Sequence, residues 1–165
     1  MPALEDFFSG NETDWIDALP NYQRKTINAL LEQGKSSEEV AVAWLSANGP
    51  TNTFPYGAQK SSGSIFFEKL VEEVEGFICS EDRYIEDRKK LLTGAEATKT
   101  YFISTISLAI APVLHTSAAL IAPAVALVLL TISKIGRNAW CAMRYEKKQN
   151  ANSSISDASK ADTPE

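Results

Sequence analysis

No Asp, Glu, Lys or Arg occurs between Thr100 and Ser133, a run of 34 residues in a chain that is 22% charged overall. Removing so much apolar surface from water outweighs any other local term, so the run must lie in lipid or inside protein. Other scarcities narrow the function. There are two cysteines, Cys79 and Cys141, too few for a disulfide scaffold or a zinc site. They read as small buried thiols, with lipidation of Cys141 conceivable in a eukaryotic host. Histidine occurs once, as His115 within the apolar run. A polar tip or a satisfied core residue explains it more simply than a ligand or a base. No Gly-rich phosphate loop, metal-ligand spacing or nucleophile motif is found, so no enzyme, cofactor or small-molecule substrate is expected.

Basic residues are missing ahead of Arg24, whereas Glu5, Asp6, Glu12, Asp14 and Asp17 precede it. A secretory signal needs a positive start and a mitochondrial presequence avoids acid, so the N-terminal part is expected in the cytosol. The formal net charge of −5 argues against nucleic acid as a partner, which requires a basic face.

The remaining pattern is helical throughout, giving an expected all-α fold in four parts: a small N-terminal helical domain, a long amphipathic helix, a hydrophobic helical hairpin and a tail. The N-terminal domain covers residues 1–63. Short helices are expected over Pro2–Ser9 and Thr13–Leu19, and a longer one from Pro20 to about Gln33, closed by Gly34. Ser36-Ser37-Glu38-Glu39 is a capping box opening a helix that Asn48-Gly49-Pro50 ends. Residues 30–45 resemble the first half of a helix-turn-helix. However, a long loop over 48–63 stands where the recognition helix should begin. Within that loop Phe54, Pro55 and Tyr56 either cover the core or form a recognition loop. Residues 64–94 form the amphipathic helix, with Phe67, Leu70, Val74, Phe77 and Ile85 on one side. Its basic cluster Arg88-Lys89-Lys90 suits a solvated helix C-terminus or lipid head groups. Residues 95–148 hold the hairpin with its basic flank. Residues 149–165, rich in Ser, Asn, Ala and Asp, are expected to be a disordered tail.

Three arrangements suit the uncharged run: one tilted or trimmed span, a membrane-inserted hairpin, or a buried hairpin of a soluble protein. A single helix of that length measures roughly 51 Å, well over a ~30 Å hydrocarbon core. A hairpin with its tip at His115-Thr116-Ser117 also places both basic flanks on one side of a membrane. Covering two apolar arms in water would need many partner helices. The membrane hairpin is therefore the leading expectation. Tyr101, Lys134, Arg137 and Trp140 are its candidate interface anchors. Ser104, Ser107 and Ala111 on one arm, and Ala118, Ala122 and Ala126 on the other, are small-residue stripes suited to close helix packing. Pro112 and Pro123 are expected to kink the arms.

The layout suggests a membrane-associated, effector-like protein, in which a cytosolic sensing or docking domain is coupled to a hairpin that anchors, oligomerises or perturbs the bilayer. Its expected partners are a lipid bilayer and a protein or a second copy. The alternative is a soluble, cytoplasmic all-α adaptor with a buried central hairpin.

Overall fold

A computed structural model describes residues 8, 13–48, 62–80, 82–93 and 98–161. The described residues form eight helices and no strand: α1 (Asp14–Asp17), α2 (Asn21–Glu32), α3 (Ser37–Asn48), α4 (Ser62–Ile78), α5 (Ile85–Thr93), α6 (Lys99–Ile110), α7 (Ala118–Ile135) and α8 (Arg137–Ala161). The all-α expectation therefore holds. The helix expected over Pro2–Ser9 and the segment containing Phe54, Pro55 and Tyr56 lie outside the described residues.

Local signals place most boundaries. Gly34 terminates α2 with φ +86°, a conformation that costs a residue without a Cβ little. The Ser36 hydroxyl accepts from the Glu39 N–H at 3.2 Å, the first half of the expected capping box at α3, while the Glu39 carboxylate accepts from the Ser36 hydroxyl instead of from a backbone N–H. Thr98 and Ser117 cap α6 and α7 by accepting the N–H groups of Tyr101 and Leu120. Gly136, at φ +100°, separates α7 from α8, and its N–H donates to the Ile132 carbonyl at 2.7 Å.

α7 is the axis of the molecule. It packs against α1, α2, α3, α4, α6 and α8. Every residue from Pro123 to Leu130 is buried. A helix apolar on all sides needs such an environment. Ile121, Val125, Leu127, Val128, Leu129, Leu130 and Ile132 each contribute roughly 1.5–3 kcal/mol by leaving water, an upper bound relative to a real unfolded chain. The hairpin is present, but its arms have different surroundings. α6 is itself part of the cover over α7, turning Phe102, Ile103 and Ile106 inward and Ser104 and Leu108 outward. Only one arm has to be enclosed, which is why so short a chain supplies enough partner helices.

Four expectations are corrected. The helix over 64–94 is two helices, α4 and α5, because the chain turns after Ile78 and Tyr84 takes φ +56°. Arg88 stabilises this break: its guanidinium donates to the carbonyls of Phe77 and Arg83 at 2.9 and 2.7 Å, groups the turn leaves without helical partners. Second, Pro112 does not kink an arm; α6 has ended at Ile110, and the connection runs over 111–117 with His115 at φ +57°. Third, the expected tail is helical to Ala161. Trp140 is buried in the early turns of α8, and a helix nucleated by packing gains one hydrogen bond per added residue. Fourth, Cys79 and Cys141 are not free thiols but form a disulfide, their Cα atoms 5.7 Å apart. Nothing in the local sequence joins them; the docking of α8 beside the end of α4 does.

α3 and α4 approach closely at Gly63. A Cβ there would overlap Ser46 Oγ and stand 2.9 Å from the Val42 carbonyl oxygen. The serine can rotate, but the backbone oxygen cannot. Gly63→Ala is therefore expected to lower stability by about 1–2 kcal/mol, the overpacking cost exceeding alanine's gain in helix propensity of ~1 kcal/mol. Urea denaturation measures it, and a midpoint equal to or above the wild type would contradict the close contact.

Candidate functional site

Polar side chains of the N-terminal helices hold the hairpin along its length. Trp15 of α1 donates its indole N–H to Ser133 Oγ at 2.6 Å, near the C-terminal end of α7. At the other end Pro123 has no N–H, so the Ala119 carbonyl four residues earlier lacks its helical donor. Gln23 Nε2 donates to that carbonyl at 3.0 Å, and Trp44 Nε1 donates to the next one, Leu120, at 2.8 Å. The proline in the apolar arm is thus matched by a buried glutamine on α2. Trp15 is fully buried and rests against Phe8 and Phe102, with ring centroids 5.6 and 5.5 Å away, while Lys99 Nζ lies 5.2 Å from its ring centroid.

A second set of contacts straps α8 to α4. Arg137, Cys141, Arg144 and Lys148 recur at intervals of four, three and four, so they share one face of α8. Opposite them are Glu75 on α4 and Cys79 just past its end, one turn apart. Arg144 Nε donates to Glu75 Oε1 at 2.8 Å, Lys148 pairs with Glu75 Oε2, and Arg137 donates to the Ile78 carbonyl at 2.9 Å. The disulfide completes the strap. Glu75 is buried, so the two cations supply the compensation that a desolvated carboxylate requires.

Next to the strap, Glu73 accepts hydrogen bonds from Arg83 and, at 2.7 Å, from the Tyr84 hydroxyl. Gly76 leaves the space for the Arg83 guanidinium, which a Cβ would approach to 2.7 Å. Burial pushes the Glu73 carboxyl up, but the hydrogen bonds from Arg83 and Tyr84 and the arginine charge outweigh it, holding the carboxyl below its usual range. Burial, followed by the adjoining carboxylate, pushes the Tyr84 hydroxyl well up. Because the folded Glu73 value is the lower one, the cluster stabilises the protein above pH 4.5 and this contribution fades as pH falls through the folded value. Arg83 is half exposed, so we expect Glu73→Gln to cost about 1 kcal/mol or less at pH 7. Urea unfolding of both proteins should show that difference shrinking as pH falls below 4.5. A difference that stays unchanged there would remove the ionic explanation.

Two surface grooves are lined by the described residues. One, of 340 Å³, lies between α4, α7, α8 and the start of α3. Phe67, Val71, Val128 and Trp140 give it apolar walls, Glu38, Glu68 and Glu72 stand on one side, and Arg144 and Lys147 on the other. The second, of 460 Å³, lies between the α1–α2 corner and the two arms of the hairpin. Ser104, Ser107, Ala118 and Ala122 line it, so four of the six small-residue stripe positions border one groove. Of the other two, Ala126 is fully buried in α7 and Ala111 is buried at the end of α6.

The candidate anchors are placed as follows. Trp140 is buried, Arg137 belongs to the strap, Tyr101 donates its hydroxyl to the Lys90 carbonyl at 3.3 Å, and Lys134 is exposed in the last turn of α7. Sequence reasoning missed Gln23, Glu75, the hydrogen bond from Trp15 to Ser133, and the strap. The spacing of Arg137, Cys141, Arg144 and Lys148 was the available signal for the last; the others had none beyond residue type. Among the described residues no group of three or more His, Cys, Asp or Glu could hold a metal ion. Comparison with protein-family models, curated proteins and solved structures finds no match to the chain.

Proposed function

We propose that the protein is a water-soluble all-α interaction module whose apolar hairpin is its structural core. The observation that carries this reading is the enclosure of α7, with Trp15, Gln23 and Trp44 all hydrogen-bonded to it from the surrounding helices. Each of those donors comes from a helix packed on α7, so the sides of α7 they touch face protein. In this reading the groove between α4 and α8 docks a partner protein: its walls offer an apolar contact, and its acidic and basic sides form a polar rim that orients the partner, the usual division of labour at an interface. The Cys79–Cys141 bond favours an oxidising compartment over the cytosol.

Fractionation tests the reading. The full chain should be released from membranes by carbonate without detergent and purify as a helical species in plain buffer. The amides of residues 121, 122 and 124–130 should show the slowest hydrogen exchange in the protein. Retention in the carbonate pellet, or rapid exchange in α7, would overturn it.

A second reading rests on α7 itself, whose 18 residues are long and apolar enough to cross a membrane. Here the soluble form opens and the hairpin inserts, acting as the effector. Dye release from anionic vesicles, with α7 losing its exchange protection on vesicle addition, is the expected result. Intact vesicles at high protein concentration would exclude it.

A further inference from the structure

The groove between the α1–α2 corner and the hairpin is lined by two residues that each carry a buried polar atom without a partner in the fold. Gln23 is 2% exposed and Ser107 is 1% exposed, and both line the groove. Gln23 Oε1 and Ser107 Oγ have no hydrogen-bond partner among the described residues. The orientation of Gln23 follows from its surroundings. Its amide nitrogen donates to the Ala119 carbonyl, and reversing the amide would set carbonyl against carbonyl. Oε1 is therefore left as an acceptor. Ser107 lies in the middle of α6, where a hydroxyl commonly bonds back to the preceding turn; here it does not. A buried polar group without a partner costs ~1–3 kcal/mol, so two of them at one groove call for an explanation.

Apart from the hydroxyls of Thr100 and Ser104, the rest of the lining is apolar: Leu19, Ile103 and Leu108 contribute aliphatic surface, and Ala118 and Ala122 leave room beside it. No charged residue lines the groove among the described residues. At 460 Å³ it falls within the ~300–1,000 Å³ usual for small-molecule sites, which pair apolar walls with a few placed polar groups. An ionised ligand would enter without a counter-charge, at a large desolvation cost.

We propose that this groove binds a neutral amphipathic molecule with an aliphatic body and a hydroxyl or primary-amide head, its donor meeting Gln23 Oε1 and its acceptor meeting the Ser107 hydroxyl. A hydroxyl serves both atoms through one oxygen; an amide serves them through its N–H and C=O. The site bridges the α1–α2 corner and the hairpin, so an occupant stabilises the closed arrangement of the two. It is independent of the partner groove at α4 and α8.

The test is titration of the full-length protein with 1-octanol and hexanamide, followed by amide NMR. Saturable shifts are expected at the Gln23 side-chain amide and at residues 100–108 and 118–122. Octanoate and octylammonium should bind at least about 10-fold more weakly. Ser107→Ala should keep the circular dichroism of the wild type, melt no lower than it because the unpartnered hydroxyl is gone, and weaken octanol binding about 3- to 10-fold, the effect of one hydrogen bond. Ser104→Leu, at an exposed position that the core does not need, should fill the groove and abolish binding. Absence of saturation with both neutral probes, equal affinity for the charged ones, unchanged affinity in Ser107→Ala, or full binding by Ser104→Leu would each overturn the proposal.

Discussion

Replacing Trp15 with alanine is expected to lower the free energy of unfolding by about 3–5 kcal/mol, as the loss of a large buried aromatic does. The tryptophan is fully buried, although it sits in a helix of only four residues that has little stability of its own. Its ring packs with Phe8 and Phe102, and its indole N–H reaches Ser133, 118 residues away in sequence. Removing it takes away the contact that fixes α1 across α6 and α7, so the expected loss includes exposure of apolar surface on the hairpin. Urea denaturation should show the lower midpoint, and a hydrophobic dye should bind the variant but not the wild type. Trp15→Phe separates the two contributions: it keeps most of the ring contact and loses the donor, for about 1 kcal/mol. A Trp15→Ala protein within about 0.5 kcal/mol of the wild type, the range of an ordinary surface change, would show that α1 does not cover the hairpin.

Replacing either cysteine with serine is expected to cost about 4 kcal/mol, from restoring to the unfolded chain the freedom that a cross-link over 62 residues removes. The ion pairs of Glu75 with Arg144 and Lys148 remain in the variant but cannot compensate. Lys148 is more than half exposed, and a pair of that kind contributes little. The Cys79→Ser/Cys141→Ser double variant should be no less stable than either single one, because the interaction is lost once. Reductant should bring the wild type to the level of the variants and leave the variants unchanged. Thiol titration of the denatured, unreduced protein should find no free thiol; finding both free would remove the disulfide and the argument for an oxidising compartment with it.

These two residues also mark where sequence reading stops. Ser36 and Glu39 announce the start of α3, Gly34 the end of α2, and the spacing of Phe67, Leu70, Val74 and Phe77 the buried face of α4, because each signal lies within one or two turns of helix. The break between α4 and α5 was hidden, since apolar residues on both sides of it keep a helical spacing. What betrays it is the use Arg88 makes of the carbonyls of Phe77 and Arg83, a contact without a local pattern. The Ser104–Ser107 and Ala118–Ala122 stripes were visible as small residues. Whether small residues bring helices together or leave a groove depends on the neighbour opposite, here the α1–α2 corner.

The sequence by itself pointed to an all-α fold, required residues 100–133 to lie in lipid or inside protein, and favoured a hairpin with its tip at His115-Thr116-Ser117 over a single span. Helix periodicity, capping and hydrophobicity act over a few residues and are written locally. Only the tertiary structure decided what takes the run out of water. Trp15, Gln23 and Trp44 reach α7 across 76 to 118 residues of chain, and Cys79 meets Cys141 across 62. Pairings at such distances depend on which helix faces end up opposite one another. That outcome is settled by the packing of the whole set of helices, and not by the pattern of any single segment.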